Sequence, residues 1–446
     1  MRQSRESGSA PKRGRVRATT ATALGVLAFA GMPALAGGLL TYEVGTADVG
    51  LASAGSSARA QDAATVFTNP AGMTRLAGNQ LLLAGQIDYA NIGFSLDGDT
   101  APGLGTDDGG RAFGSNGWFL GGGSFYSHSL SPDLKLGLAV TGNFGAPLDY
   151  GDDWAGRYYV QEATLLGLSI LPAIAYRVND RLSVGASLNA MYGIYDNKVA
   201  INNVAPGLGD GRLELDDRTW GWGVNLGLLY EIDPATRVGL TWRSAVDLDF
   251  DSAADFSNLA PGIRAVFDRR GLLDADIEIG IQVPQQVMFS LFRQVNERWA
   301  VLGSVGWQQW SEFGQVQLGV DNARDPDSVT TELDFDDTWH VALGAQYRVS
   351  DPWLLNVGVA YDSGFQSGDV SPLLPVNSTW RFGIGGQRRL SDSSHWGIAA
   401  EYMYGGTLDT DLTSELPVAL GGRGDLVGSY DNTGTLFLAV YYSSTF

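Results

Sequence analysis

The sequence predicts an all-β protein: a 14-stranded antiparallel transmembrane β-barrel with an amino-terminal hatch, or plug, inside its lumen. Three observations carry that prediction. An export signal opens the chain, two-residue alternation fills most of the remainder, and short and long connections alternate between an even number of strands.

The export signal comes first. Residues 2–17 carry Arg2, Arg5, Lys12, Arg13, Arg15 and Arg17 against one acid, Glu6. An apolar stretch follows from Ala18 to Leu35 and closes on Ala34-Leu35-Ala36. A basic, then apolar, then small-residue layout is that of a secretory signal peptide, expected over residues 1–36. A membrane anchor helix is the competing reading, but the stretch is short, diluted by Thr and followed by Gly37-Gly38. The whole chain has 29 Lys+Arg and 49 Asp+Glu. Losing six bases and one acid with the signal leaves 23 against 48, a net charge of −25. Such a chain is no nucleic-acid binder, because phosphate neutralisation needs a surplus of Lys and Arg. Cysteine is absent. There is therefore no disulfide framework, no thiolate metal site and no thiol nucleophile.

The hatch is expected over residues 37–78. This stretch is rich in Ala and Gly and does not alternate cleanly. Its glycines match no nucleotide-binding fingerprint. A weakly polar segment of this kind ahead of a barrel can fold into the lumen.

The barrel is expected over residues 79–446, where the period is two. Leu182, Val184, Ala186, Leu188, Ala190 and Tyr192 alternate with Ser183, Gly185, Ser187, Asn189 and Met191. The same rhythm runs through Trp339–Arg348 and Trp396–Tyr404. Alternation of this kind marks strands with one apolar face. The aromatics gather at strand ends, where an interfacial girdle sits. A soluble sandwich would also alternate. Here the polar face is Gly, Ser, Asn and Gln, and Lys is confined to Lys135 and Lys198 beyond the signal, which suits a lumen better than a solvated surface. No second apolar run reaches the ~18 residues of a membrane helix.

Fourteen strands are expected near 79–96, 112–128, 133–145, 160–178, 181–197, 211–232, 235–250, 272–295, 298–319, 330–349, 353–366, 377–390, 394–408 and 428–446. Six short turns carry Asn, Asp, Pro or Ser, as at Ser131-Pro132-Asp133 and Ser350-Asp351-Pro352. The other seven connections are longer. Both chain ends then lie on the short-turn side, which in outer-membrane barrels is periplasmic. The carboxyl terminus, Phe446, counts back by two through Ser444, Tyr442, Val440, Leu438 and Leu436. A terminal aromatic on an apolar row is a barrel-assembly signal, and Ser444 departs from its strongest form. Pro172 and Pro284 interrupt strands, which marks edges or bulges.

Several stretches resemble the FadL-type family of outer-membrane long-chain fatty acid transporters, which also includes aromatic hydrocarbon transporters. The hallmark is Asp62-Ala63-Ala64 followed by Asn69-Pro70-Ala71-Gly72-Met73. Further likeness lies in Trp154-Ala155-Gly156-Arg157-Tyr158, Thr241-Trp242-Arg243-Ser244 and Trp310-Ser311-Glu312-Phe313. The resemblance implies a hatch carrying the Asn69-Pro70-Ala71 motif and passive uptake of hydrophobic molecules. It also implies a sideways exit at a kink in the third strand, here Gly142-Asn143-Phe144-Gly145. The expected cargo is a fatty acid, an alkane or an aromatic hydrocarbon, carried by a monomer among outer-membrane lipid and lipopolysaccharide of a Gram-negative cell. A non-specific porin, or a structural or adhesin barrel, is the alternative.

Residue chemistry refines the expected sites. Leu148, Tyr150, Trp154, Tyr158 and Tyr159 lie in one connection, as part of a capture groove or as loop packing. Alternation points Arg177, Arg243, Arg348 and Arg381 inward, with Arg157 at the rim. A guanidinium there binds a carboxylate head group, or pairs with lumen acids such as Glu401 or Asp362. Arg243, Arg157 and Arg381, with Trp154, Tyr158 and Tyr159, are the ligand-binding candidates. Asn69-Pro70 is expected to turn tightly, because Pro fixes its own φ and pushes Asn69 out of helix. It then ends a helix, anchors the hatch to the wall, or does both. Acidic loop residues such as Asp97, Asp107, Asp152, Asp325 and Asp327 are solvated or hold bridging divalent cations. The scattered His128, His340 and His395 form no catalytic or metal motif. No enzyme activity, cofactor or metal is expected.

Overall fold

The computed structural model describes residues 39–446, apart from 101, 115, 205–206, 274, 314–317, 322–334 and 415–416. The expected signal peptide lies outside the described residues. Fourteen antiparallel strands form the wall. They are β1 (Gln80–Asn91), β2 (Trp118–Ser129), β3 (Leu134–Asp149), β4 (Glu162–Arg177), β5 (Leu182–Ile201), β6 (Gly211–Asp233) and β7 (Thr236–Arg243), followed by β8 (Gln286–Gln294), β9 (Trp299–Gln308), β10 (Thr338–Ser350), β11 (Trp353–Asp362), β12 (Thr379–Ser391), β13 (Ser394–Leu412) and β14 (Leu426–Thr445). Each pairs with the next, and β1 pairs with β14 from Gln80↔Thr445 to Asn91↔Gly434, so the sheet closes. Closure gives every wall strand a neighbour on each side, which a bilayer requires.

The alternation decides which way each strand faces. In β6, Trp220, Trp222, Val224, Leu226 and Leu228 are exposed while Gly221, Gly223, Asn225 and Gly227 are buried. Apolar residues therefore face lipid and small or polar ones face the bore. On β10, Trp339 and Tyr347 stand eight residues apart on the outer face. At ~3.3 Å per residue and a tilt of about 40°, that separation is roughly 20 Å of height, close to the apolar band of such barrels.

Several expected strands prove shorter than their alternation suggested. Among them, 79–96 ends in the wall at Asn91, 112–128 starts at Trp118 and 353–366 ends at Asp362. Three more lose a part to another sheet. The wall portion of 235–250 stops at Arg243, that of 272–295 starts at Gln286, and that of 298–319 stops at Gln308. Beyond those points Val246–Ala253, Asp276–Val283 and Leu318–Asp321 form a separate three-stranded sheet. Val246, Leu248 and Phe250 turn onto the inward glycines Gly193, Gly221 and Gly223, while Asp247, Asp249 and Asp251 are exposed. Pro284 sits in the two-residue break between this sheet and β8, as a residue without an N–H should. Pro172 makes no bulge. The β4–β5 ladder skips from Ile170↔Ala190 to Ala173↔Ser187 without a change of register.

Residues 39–77 pack inside this wall as short helical turns, Ser56–Arg59, Thr65–Thr68 and Pro70–Arg75 among them. Arg59 ties the segment to itself, with Nε 3.1 Å from Asp48 and Nη1 2.9 Å from Asp62. Wall glycines admit its backbone. A Cβ at Gly358 would lie 1.9 Å from the Leu51 carbonyl oxygen, and one at Gly239 would lie 1.9 Å from that of Ser57. Wall cations cap further carbonyls: Lys135 donates to Leu76 at 3.1 Å, Arg177 to Thr74 and Arg237 to Ala58 at 2.6 Å.

Candidate functional site

The wall parts between β2 and β3. The β2–β3 ladder ends at Gly123↔Thr141, although β2 continues upward to Trp118 on β1. Above Thr141, β3 stays on β4, with a register shift between Gly142 and Phe144. Gly145 sits at φ +101°, and a Cβ there would lie 1.6 Å from the Leu165 carbonyl oxygen. A non-glycine residue would clash twice over, in backbone and in contact. The β3 edge released from β2 is taken up by the first described residues. Thr41 N–H donates to the Asn143 carbonyl at 3.1 Å and Gly145 N–H to that of Leu39 at 2.6 Å. Leu40 and Phe144 face each other in an isolated antiparallel bridge. The expected kink Gly142-Asn143-Phe144-Gly145 is thus where two wall strands part and the amino-terminal segment replaces one of them.

Behind the seam lies an apolar column. Phe144 meets Phe313 edge-on at 6.2 Å, and Phe313, Trp310, Phe365 and Phe335 close a ring of contacts with centroids 5.1–5.8 Å apart. Val246, Leu248, Phe250, Ile279 and Ile281 continue the same cluster. Only the Trp310-Ser311-Glu312-Phe313 stretch hinted at this column in the sequence. Its other rings come together from connections whose spacing carries no period. A polar thread leaves it downward: Trp310 Nε1 donates to Gln308 at 2.7 Å, and Gln308 Nε2 to the Tyr42 hydroxyl at 2.6 Å.

The three candidate arginines differ in their partners. Arg381 is charge-compensated by three carboxylates, although its Nη1 makes no hydrogen bond. It pairs with Glu43, lies 2.6 Å from Glu401 and 3.7 Å from Asp362, and is fully buried. It links the amino-terminal segment to β11 and β13, so its charge is not available to a ligand. Arg157 is also engaged, at 2.7 Å from Asp210, and it donates to the Leu104 carbonyl at 2.9 Å. Arg243 has no acidic partner among the described residues. Its Nη2 donates to the Phe67 carbonyl at 2.8 Å, and its guanidinium lies 4.2 Å from the Phe67 ring centroid. It is only half-buried although it points into the bore from β7, between Asn225 and Gln286.

The aromatics of the β3–β4 connection are packed rather than open. Trp154 stacks on Tyr150 at 4.2 Å and donates Nε1 to the Val160 carbonyl at 2.6 Å. Leu148 and Tyr158 are buried as well. Burial and a 2.7 Å bond to Asp210 push the Tyr158 hydroxyl up to about 12. Tyr159 stays half-buried, with its hydroxyl 2.8 Å from the Gly424 carbonyl. Three apolar residues that the sequence did not single out are exposed nearby: Val204, Leu208 and Leu420. Asn202 joins their two loops by donating to Val418 and Gly422 carbonyls at 2.7 and 3.1 Å.

The Asn69-Pro70-Ala71 motif is a turn fixed on both sides. Asn69 is extended (φ −160°, ψ 103°), Pro70 opens the next helical turn, and the Asn69 Oδ1 accepts from Ala71 N–H at 3.1 Å. Its Nδ2 donates to the Ser57 carbonyl at 2.6 Å and to the wall carbonyl of Leu228 at 3.1 Å. Gly227 and Gly185 make room for Asn69 and Ala71. Among the described residues no group of three or more His, Cys, Asp or Glu could hold a metal ion. Asp325 and Asp327 of the acidic-loop expectation lie outside the described residues.

A closed barrel with a filled bore, a seamed wall and an apolar interior defines an outer-membrane transport channel. The chain belongs to the family described as outer membrane protein transport protein (OMPP1/FadL/TodX), whose model matches residues 27–446. Members are transport proteins of the Gram-negative outer membrane, not enzymes. The chain is 26% identical to outer membrane protein P1 of Haemophilus influenzae, over 75% of this chain and 78% of the relative. It is 25% identical to the long-chain fatty acid transport protein of Escherichia coli K12, over 77% and 82%. In fold it is similar to a Pseudomonas aeruginosa FadL homologue, with TM-score 0.78, 19% identity and coverage of 92% and 100%. The toluene transporter TodX of Pseudomonas putida gives TM-score 0.67, 18% identity and coverage of 92% and 99%.

Proposed function

We propose that this protein takes up long-chain fatty acids passively, binding them in the bore and releasing them sideways through the β2–β3 seam. The observation that carries the carboxylate assignment is Arg243, a bore cation without an acidic partner among the described residues, beneath an apolar column. A guanidinium stacked on Phe67 offers its outer N–H groups to a two-oxygen head group. The chain then lies among Val246, Leu248 and the Trp310–Phe313 rings. Val204, Leu208, Leu420 and Tyr159 form the first apolar contact at the rim.

Residues 37–78 act as the hatch in this reading. Asn69-Pro70-Ala71 anchors it, while Leu39–Thr41 withdraws from β3 to open the path past Phe144. The unit works as a monomer within lipopolysaccharide, and residues 1–36 are removed on export. A porin needs an open bore, and residues 39–77 occupy this one. The relatives' names, a fatty acid transporter and a toluene transporter, agree with hydrophobic cargo and leave the head group to Arg243.

The test is extraction of the purified protein and mass spectrometry of copurified apolar molecules, repeated with Arg243→Ala. Loss of fatty acids from the variant supports the assignment. Equal retention removes it.

A further inference from the structure

At the periplasmic end the bore holds a cavity of about 480 Å3 between the base of the hatch and β7–β8. Arg75, Arg237, Leu76, Ala77, Phe292 and Gln294 are among its lining residues. Two guanidiniums meet there with one carboxylate. Arg75 pairs with Glu231 through Nη1, while its Nε is buried with no partner. Arg237 is 6% exposed and makes no ion pair within 4 Å among the described residues; its cross-strand neighbour, Glu231, is the carboxylate already paired with Arg75. It donates Nε to the Ala58 carbonyl at 2.6 Å and Nη2 to that of Arg59, and lies 3.8 Å from the Phe292 ring centroid.

Capping two hatch carbonyls does not by itself call for a full charge. A neutral amide donor would serve, whereas two desolvated cations that share one carboxylate leave a buried charge uncompensated. The orphaned buried N–H of Arg75 adds the cost of a hydrogen bond lost from water. Both costs fall on the same cavity, and an acceptor with two oxygens would relieve both. The apolar side, Leu76, Ala77 and Phe292, accommodates a carbon stem beside the charge. The volume is in the range of small-ligand sites.

We infer that this cavity is an anion site that takes a carboxylate bearing a short apolar stem, bridging the hatch through Arg75 to the wall through Arg237. The site is separate from Arg243, which points into the bore near the other end of β7. Its occupant is either the head of an amphiphile that enters from the periplasmic side or a free small carboxylate of the periplasm.

Binding of octanoate, octanol and acetate is measured by calorimetry on the full barrel in a neutral maltoside detergent, with Arg243→Gln present throughout to remove the upper site. Octanoate is expected to bind at least tenfold tighter than octanol. Adding Arg237→Gln is expected to weaken octanoate at least tenfold, and Arg75→Gln to weaken it severalfold. Acetate binding as tightly as octanoate supports the site with a free carboxylate as occupant; a strong preference for octanoate supports the amphiphile. Octanoate no tighter than octanol, or affinity unmoved by either arginine substitution, overturns the inference. Should Arg237→Gln lose the heat-modifiable mobility of a folded barrel, Arg75→Gln decides alone. Comparing the protein with and without Arg243→Gln reads the upper site separately, so the two assignments fail independently.

Discussion

Arg243 donates to the carbonyl of Phe67 and covers the ring of the same residue, joining the wall to the hatch through one side chain. The contact uses one Nη and one face of the guanidinium. A carboxylate reaching Arg243 competes with the Phe67 carbonyl for the stronger, charge-assisted bond. In the proposed reading, ligand selection and hatch docking therefore share a residue. Arg243→Ala is expected to cut copurified carboxylic acids at least tenfold while leaving neutral hydrocarbons in place. Arg243→Lys keeps the charge but not the planar fork, and is expected to fall between the two. Mass spectrometry of the extracts checks both, and parallel loss of acids and hydrocarbons would count against a head-group role.

The seam gives a second prediction, made simple by a chain without cysteine. Leu40 and Phe144 face each other across the antiparallel bridge between hatch and β3. Leu40→Cys with Phe144→Cys places two thiols at facing positions of that bridge. Oxidation is expected to hold Leu39–Thr41 on β3 and stop uptake of a fluorescent fatty acid, and reduction is expected to restore it. Uptake at the wild-type rate in the oxidised, cross-linked protein would show that cargo leaves by another way.

The strands were legible because lipid and bore impose opposite chemistry on alternate residues. The upper breaks were not. Val246, Leu248 and Phe250 keep the same two-residue period whether they extend β7 or fold over Gly221 and Gly223. Alternation also placed Arg243 and Arg381 inward alike. What separates them is the convergence of Glu43, Asp362 and Glu401 from three distant parts of the chain onto Arg381 alone. The acids Glu401 and Asp362 could be read as lumen residues, but their partner could not. The loop aromatics were open in sequence: Trp154 and Tyr150 read equally as capture groove or as loop packing, and their stacking on each other places them inside the loop cap.

Arg381 should therefore behave as structure rather than as a ligand site. Removing one partner from a buried ion network leaves uncompensated charge, worth about 3–5 kcal/mol. Arg381→Ala strips Glu43, Asp362 and Glu401 of their shared cation at once. The temperature at which the barrel unfolds on unboiled gels is expected to drop clearly, with the ratio of copurified acids to hydrocarbons unchanged. A selective loss of acids at unaltered stability would return Arg381 to the ligand set.

The hatch's fit against wall glycines sets the last prediction, on conductance. Gly358 and Gly239 lie against the carbonyls of Leu51 and Ser57 so closely that no side chain can be inserted without displacing backbone. Asn69 adds bonds to Ser57 and Leu228, and its loss leaves acceptors unpaired at about 1–3 kcal/mol. Gly358→Val and Asn69→Ala are each expected to loosen the hatch while the wall stays closed. In planar bilayers the wild type is expected to conduct little, and both variants to show large, sustained openings. Gly303→Ala is the control, because a Cβ there meets only the Leu343 side chain at 3.5 Å and the carbonyl of Ala342 at 3.6 Å. Its traces should match the wild type. A wild-type barrel that already conducts freely, or variants that stay shut, would mean that residues 39–77 do not act as the plug.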